Sequence, residues 1–113
     1  MEFTADAFVE VPYMANETTT FQDYVLKIDG TKVPISPKNG RDYKIGEVKK
    51  VVGGYVERVV LGPVGLWMFV NEDGIRLKLP VNLEATKLYR DNTRPNSNMI
   101  HGDVLVCAAG RML

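Results

Sequence analysis

His101 is the sole histidine of the chain and Cys107 the sole thiol, so any Ser–His or Cys–His catalytic pair has to use them. His101 stands just before an apolar run, where a lone histidine ordinarily serves packing or the surface. Cys107 lies inside the run Val104 to Ala109. There a cysteine behaves as a small buried hydrophobe, whereas a reactive thiol needs partial exposure and a positive neighbourhood. One cysteine makes no internal disulfide, and Cys107 with His101 supplies too few ligands for a Cys-based zinc site. Glu72 and Asp73 are adjacent in a turn-like stretch, and Asp103 follows Gly102. None of these carboxylates has a histidine at i,i+4 or the spacing of a metal loop. No catalytic constellation, metal or cofactor is expected.

Anion chemistry meets similar objections. Gly53-Gly54 closes a helical pattern, and a helix C-terminus carries the wrong partial charge for a phosphate. The helix beginning after Asn82 has the right polarity, but Asn82 is itself a good N-cap for those N–H groups. Tyr55, Arg58, Trp67, Phe69, Arg76 and Lys78 interleave aromatic and basic residues. On a sheet that pattern suits base stacking, or a core with a solvated outer face; zero net charge favours the core. The charge is unevenly spread. Residues 1–20 hold Glu2, Asp6, Glu10 and Glu17 and no Lys or Arg, so −4 there leaves +4 on the remainder.

The elements that must position these groups read as follows. Residues 1–20 form an N-terminal arm or edge strand, with Phe3, Phe8, Val9 and Val11 in a short strand. Residues 21–113 form a single domain, as expected for 113 residues with 45% hydrophobic and 25% charged content. Tyr24–Ile28 and Thr31–Ile35 are strands around an Asp29-Gly30 turn, and Pro34 limits the second to an edge. Lys44–Val52 is a helix with Ile45, Val48, Val51 and Val52 near one face. Tyr55–Leu61 and Leu66–Val70 are strands. Asn71 to Gly74 reads as a hairpin turn with glycine at the left-handed position. Ile75, Leu77 and Leu79 alternate with Arg76 and Lys78 as a half-buried strand. Leu83–Arg90 is a helix, Asp91–Asn98 a loop, and Val104–Ala108 a final buried strand. Together these predict an α+β fold, with an antiparallel or mixed sheet of about five to seven short strands and two short helices. No secretory signal and no apolar run of membrane-spanning length is evident, so a cytoplasmic location and no membrane partner are expected.

Four spaced motifs carry a family likeness: Gly53-Gly54-Tyr55-Val56-Glu57, Asn71-Glu72-Asp73-Gly74, Asn82 to Thr86, and Gly102-Asp103-Val104. In this order they resemble the DUF3846 family, over about Ile45 to Val106. The Asn82–Thr86 segment departs from the family's common form, with Leu83 and Glu84 where Pro and Arg are usual; if that Arg contacts a ligand in relatives, this chain either lacks the contact or supplies it from Lys87. The resemblance implies an accessory protein of a phage or mobile element. Its expected role is non-enzymatic, counteracting a host defence system by binding a defence protein or sequestering a signalling nucleotide. The candidate binding residues are Asn71, Glu72, Asn82, Thr86, Lys87, His101 and Asp103, on the expectation that three motifs meet at one end of the sheet. The bland alternative is that they are fold determinants: turn, cap and turn. Other readings are a nucleic-acid-associated regulator, with nucleic acid not favoured as partner, and a small nucleotide-processing enzyme. Pairing of the N-terminal arm with a neighbour's sheet edge would make a homodimer.

Overall fold

A computed structural model describes residues 21–93 and 98–112. Among them, five strands form one antiparallel sheet: β1 (Tyr24–Leu26), β2 (Lys32–Pro34), β3 (Val56–Leu61), β4 (Leu66–Asn71) and β5 (Val104–Ala108), in the order β2-β1-β5-β4-β3. Two helices complete it, α1 (Ile45–Val52) and α2 (Leu83–Asn92). The class is α+β. The arm and strand expected in residues 1–20 lie outside the described residues, as do residues 94–97 of the expected loop.

Two hairpins, β1–β2 and β3–β4, flank the last strand. The register fixes the faces, because alternate residues point to opposite sides. Leu26, Val104, Val106, Met68 and Val70 share one face with Ala85, and Leu88 and Tyr89 of α2 pack there. Phe69, Leu105 and Cys107 share the other with Val48 of α1 and with Tyr43. β5 is therefore covered on both sides, and its run of apolar residues is what a doubly buried strand requires. Its first four residues are buried.

The helix boundaries follow from local chemistry. The Glu47 carboxylate accepts from the N–H groups of Lys44 (2.9 Å) and Lys38 (3.0 Å), anchoring the first turn of α1. These bonds lower its pKa. Gly53 caps the other end in the left-handed conformation, φ 79°. Asn82 caps α2, its side chain accepting from Ala85 N–H at 3.0 Å. α2 runs to Asn92, two residues past the expected end.

One expected element is absent. Residues 75–79 are not a strand, and Asn71 to Gly74 is not a hairpin turn. The segment 72–78 coils through successive turns, with Leu77 N–H donating to Asp73 O and Leu79 N–H to Gly74 O. Ile75 and Leu77 are 59% and 47% exposed. Gly74 does not take the left-handed conformation; Lys78 does, φ 56°. The cause is Asn71, whose Oδ1 accepts from Asp73 N–H at 2.8 Å. That local bond offers the backbone an alternative to a sheet ladder and turns the chain out of β4.

A candidate cleft beside the last strand

Asn71 is the pivot from which the site is built. It is buried at the end of β4, and its Nδ2 donates to the Val52 carbonyl at 3.0 Å. The end of α1 is thereby fastened to the start of the 72–79 loop. Gly54 makes room for this: a Cβ there would stand 3.0 Å from Asn71 Nδ2. At the far side of the loop, His101 Nδ1 lies 2.8 Å from the Leu79 carbonyl. A carbonyl only accepts, so Nδ1 carries the proton of this bond, and Nε2 is the ring's remaining hydrogen-bonding group. Gly74 passes directly against His101, where a Cβ would meet His101 Cβ at 3.1 Å.

Between the loop, the β3–β4 hairpin and α2 lies a cleft of about 460 Å³. Its floor is Val59, Val70 and Ile100, with Tyr89 from α2 at the side. Ile75 and Met99 stand at its mouth, both exposed. Glu57 and Glu72 also line it, and neither forms a salt bridge among the described residues. Asp73 and Arg76 line it too, paired with each other at 3.2 Å. The cleft is an apolar trough with two uncompensated carboxylates, so it favours an apolar group bearing positive charge and disfavours phosphate.

The motifs do converge at one end of the sheet. There β4 ends, β5 begins and β1 ends, in the register Leu26↔Val104 and Phe69↔Leu105. Their side chains do not form one site. Asn71, Glu72 and His101 line the cleft. Asn82 is fully buried, and its Nδ2 donates to the carbonyls of Leu26 (2.9 Å) and Gly102 (3.0 Å). Thr86 Oγ1 donates to Asn82 O and accepts from Ile100 N–H, both at 2.8 Å. Asp103 accepts from Ile28 N–H at 3.0 Å and pairs with Lys27 at 3.2 Å, tying the chain after β1 to the chain before β5 at the end of the sheet. Lys87 is exposed and pairs with Asp91 at 2.7 Å. With Thr86 it borders a separate depression outside α2, which Met99 shares.

Sequence reasoning missed Glu57, Ile75, Tyr89 and Met99. A signal existed for Ile75 alone: its strand would have followed a turn whose first residue, Asn71, competes for the backbone. Cys107 is buried, and that burial, then the Asp23 carboxylate, pushes its thiol up to about 12. Of the aromatic and basic residues, Arg58, Trp67 and Phe69 adjoin one another on the α1-facing side of the sheet, with Trp67 edge-on to Phe69 at 6.1 Å. Phe69 is in the core, Arg58 stacks on Trp67 at 4.6 Å, Lys49 covers Tyr55, and Arg76 belongs to the cleft. Among the described residues, no group of three or more His, Cys, Asp and Glu is placed to hold a metal ion, and no helix is long and apolar enough to cross a membrane.

Residues 22–112 match the family described as Domain of unknown function (DUF3846). The match covers most of the chain, and the chain belongs to that family. No curated protein and no solved structure matches it.

Proposed function

We propose that this DUF3846 chain is a non-enzymatic binding protein whose cleft and 72–79 loop receive a segment of a protein partner. The observation carrying the reading is the exposure of Ile75 and Leu77 on a loop anchored at both ends. Two large apolar side chains held in water on a fixed loop, beside an apolar trough, are the composition of a contact surface. Met99 extends the apolar surface to the cleft's other lip. Glu57 and Glu72 add a preference for a lysine or arginine on the partner.

Of the two ligand classes the resemblance implies, this chemistry supports the protein over the nucleotide. The cleft turns carboxylates toward a ligand, and the Asn82–Thr86 segment directs its polar atoms inward. The phage or mobile-element setting that the resemblance implies favours a host defence protein as that partner, met in the bacterial cytoplasm.

The test compares the full chain with its Ile75→Asp/Leu77→Asp variant in bacteria carrying candidate defence proteins. Both side chains are exposed, so the variant should melt like the parent. The reading expects one defence protein to co-purify with the parent and not with the variant. A stoichiometric nucleotide released from the denatured parent, with a thermal shift on adding it back, would replace the protein partner by a small-molecule one. Equal capture by both proteins would remove the loop from the interface.

A further inference from the structure

The α1 side of the molecule carries a groove of about 620 Å³, separate from the cleft. Ile35 and Val51 contribute its apolar surface, and Lys38, Lys44 and Lys50 stand around it. Glu47 lines it as well, but its carboxylate accepts from two backbone N–H groups at the start of α1. Among the described residues, none of the three lysines forms a salt bridge. An apolar trough ringed by three ammonium groups fits an acidic peptide segment with apolar side chains.

The chain itself contains such a segment. Glu2, Asp6, Glu10 and Glu17 fall within residues 1–20, with Phe3, Phe8, Val9 and Val11 among them and no Lys or Arg. The described chain also begins at this groove. Gln22 Nε2 donates to the Ile35 carbonyl at 3.1 Å, and Ile35 N–H donates to Asp23 O at 3.1 Å. Glu17 precedes Gln22 by five residues, an extended reach of about 17 Å. The geometry points to a docking site: the lysine groove receives the acidic segment 2–17 of its own chain. The −4 segment and the +4 remainder are then two halves of one contact.

Zero-length carbodiimide cross-linking of the full chain, read by peptide mass spectrometry, tests this. An equal mixture of unlabelled and ¹⁵N-labelled protein separates links within one chain from links between copies. The proposal expects links from Glu2, Asp6, Glu10 or Glu17 to Lys38, Lys44 or Lys50, within one chain. The links should fall about tenfold at about 1 M salt, where the screening length is about 3 Å. Lys38→Glu/Lys44→Glu/Lys50→Glu removes the amines this reagent joins, so its readout is limited proteolysis, and cleavage within residues 2–17 should be about tenfold faster than in the parent once the three charge pairs are reversed. The lysines are exposed, and an unchanged melting curve would show that the variant folds. Should it not fold, Glu2→Gln/Asp6→Asn/Glu10→Gln/Glu17→Gln removes the same charges outside the described fold, and a thermal shift with added polyglutamate reports the vacated groove. Links between copies would assign the groove to a second copy's segment and overturn the intramolecular contact. Links to these lysines no more abundant than those to Lys32 or Lys78 would overturn the docking altogether.

Discussion

Asn82 has no exposed surface, yet its side chain makes three hydrogen bonds, one to cap α2 and two to carbonyls at the ends of β1 and β5. Asn82→Ala removes the cap and strands two buried carbonyls. The expected loss is about 3 kcal/mol, from about 1 for the cap and the remainder for the carbonyls. Urea unfolding measures it, and a loss under about 1 kcal/mol would mean water replaces the amide. Cys107 makes a pH prediction. Its pKa rises from 9.0 to about 12 on folding, chiefly through burial. Between those values the unfolded chain gives up a proton that the native chain keeps. The stability this group contributes is complete below pH 9 and is lost as pH rises toward 12. Native protein at pH 8 should resist iodoacetamide and become labelled only on unfolding, because the thiolate is the reactive form. Rapid native labelling would contradict the buried placement.

At the scale of elements, the 72–79 loop is the departure from pattern. Ile75, Leu77 and Leu79 have a strand's period, but the Asn71 side chain takes the Asp73 N–H and the Val52 carbonyl, and the chain coils. Lys78 then sits at φ 56°, where a Cβ is disfavoured. Lys78→Gly should stabilise the protein by about 0.5–1 kcal/mol, the strain relieved exceeding glycine's added unfolded-state entropy. A thermal melt shifted downward instead would show that the Lys78 side chain contributes more than its backbone costs. Gly54→Ala should act in the other direction. The added carbon stands 3.0 Å from Asn71 Nδ2 and pushes the amide off Val52, for about 1–3 kcal/mol. The glycine and asparagine motifs of the family are thus two sides of one contact between α1 and the loop.

At the scale of the whole molecule, Asp23 joins segments far apart in the chain. Its buried carboxylate accepts from Tyr43 OH at 2.8 Å and Ala108 N–H at 3.3 Å, and pairs with Arg111 at 3.6 Å. Tyr43 N–H donates to the Arg111 carbonyl, closing the same knot. Asp23→Ala leaves a buried hydroxyl and a partly buried guanidinium without their acceptor. We expect a loss of about 3–5 kcal/mol, read as a lower urea midpoint at unchanged slope. A changed slope would show that the ends of the chain come apart before the sheet. The proposed partner surface and the lysine groove belong to the two opposite sides that the α2-facing and α1-facing layers define.

Much of this fold was legible in the sequence, and the reasons are local. The glycine stop at Gly53, the Asn82 cap and the apolar run of β5 each depend on residues within a few positions, and each lies where it was expected. Asp29-Gly30, by contrast, is not a two-residue hairpin but part of a longer connection, residues 27–31, between strands that stop at Leu26 and resume at Lys32. The strand order was not legible, because β5 pairs with β1 across about 80 positions and nothing in either strand names its partner. The candidate residues show the same division. Their types were readable, but whether an asparagine faces a cleft, as Asn71 does, or closes the interior, as Asn82 does, depends on which carbonyls arrive beside it. Local periodicity selects helix or strand. Only the packed sheet decides which polar groups are used within the fold and which remain for a partner, since that depends on neighbours brought together by folding.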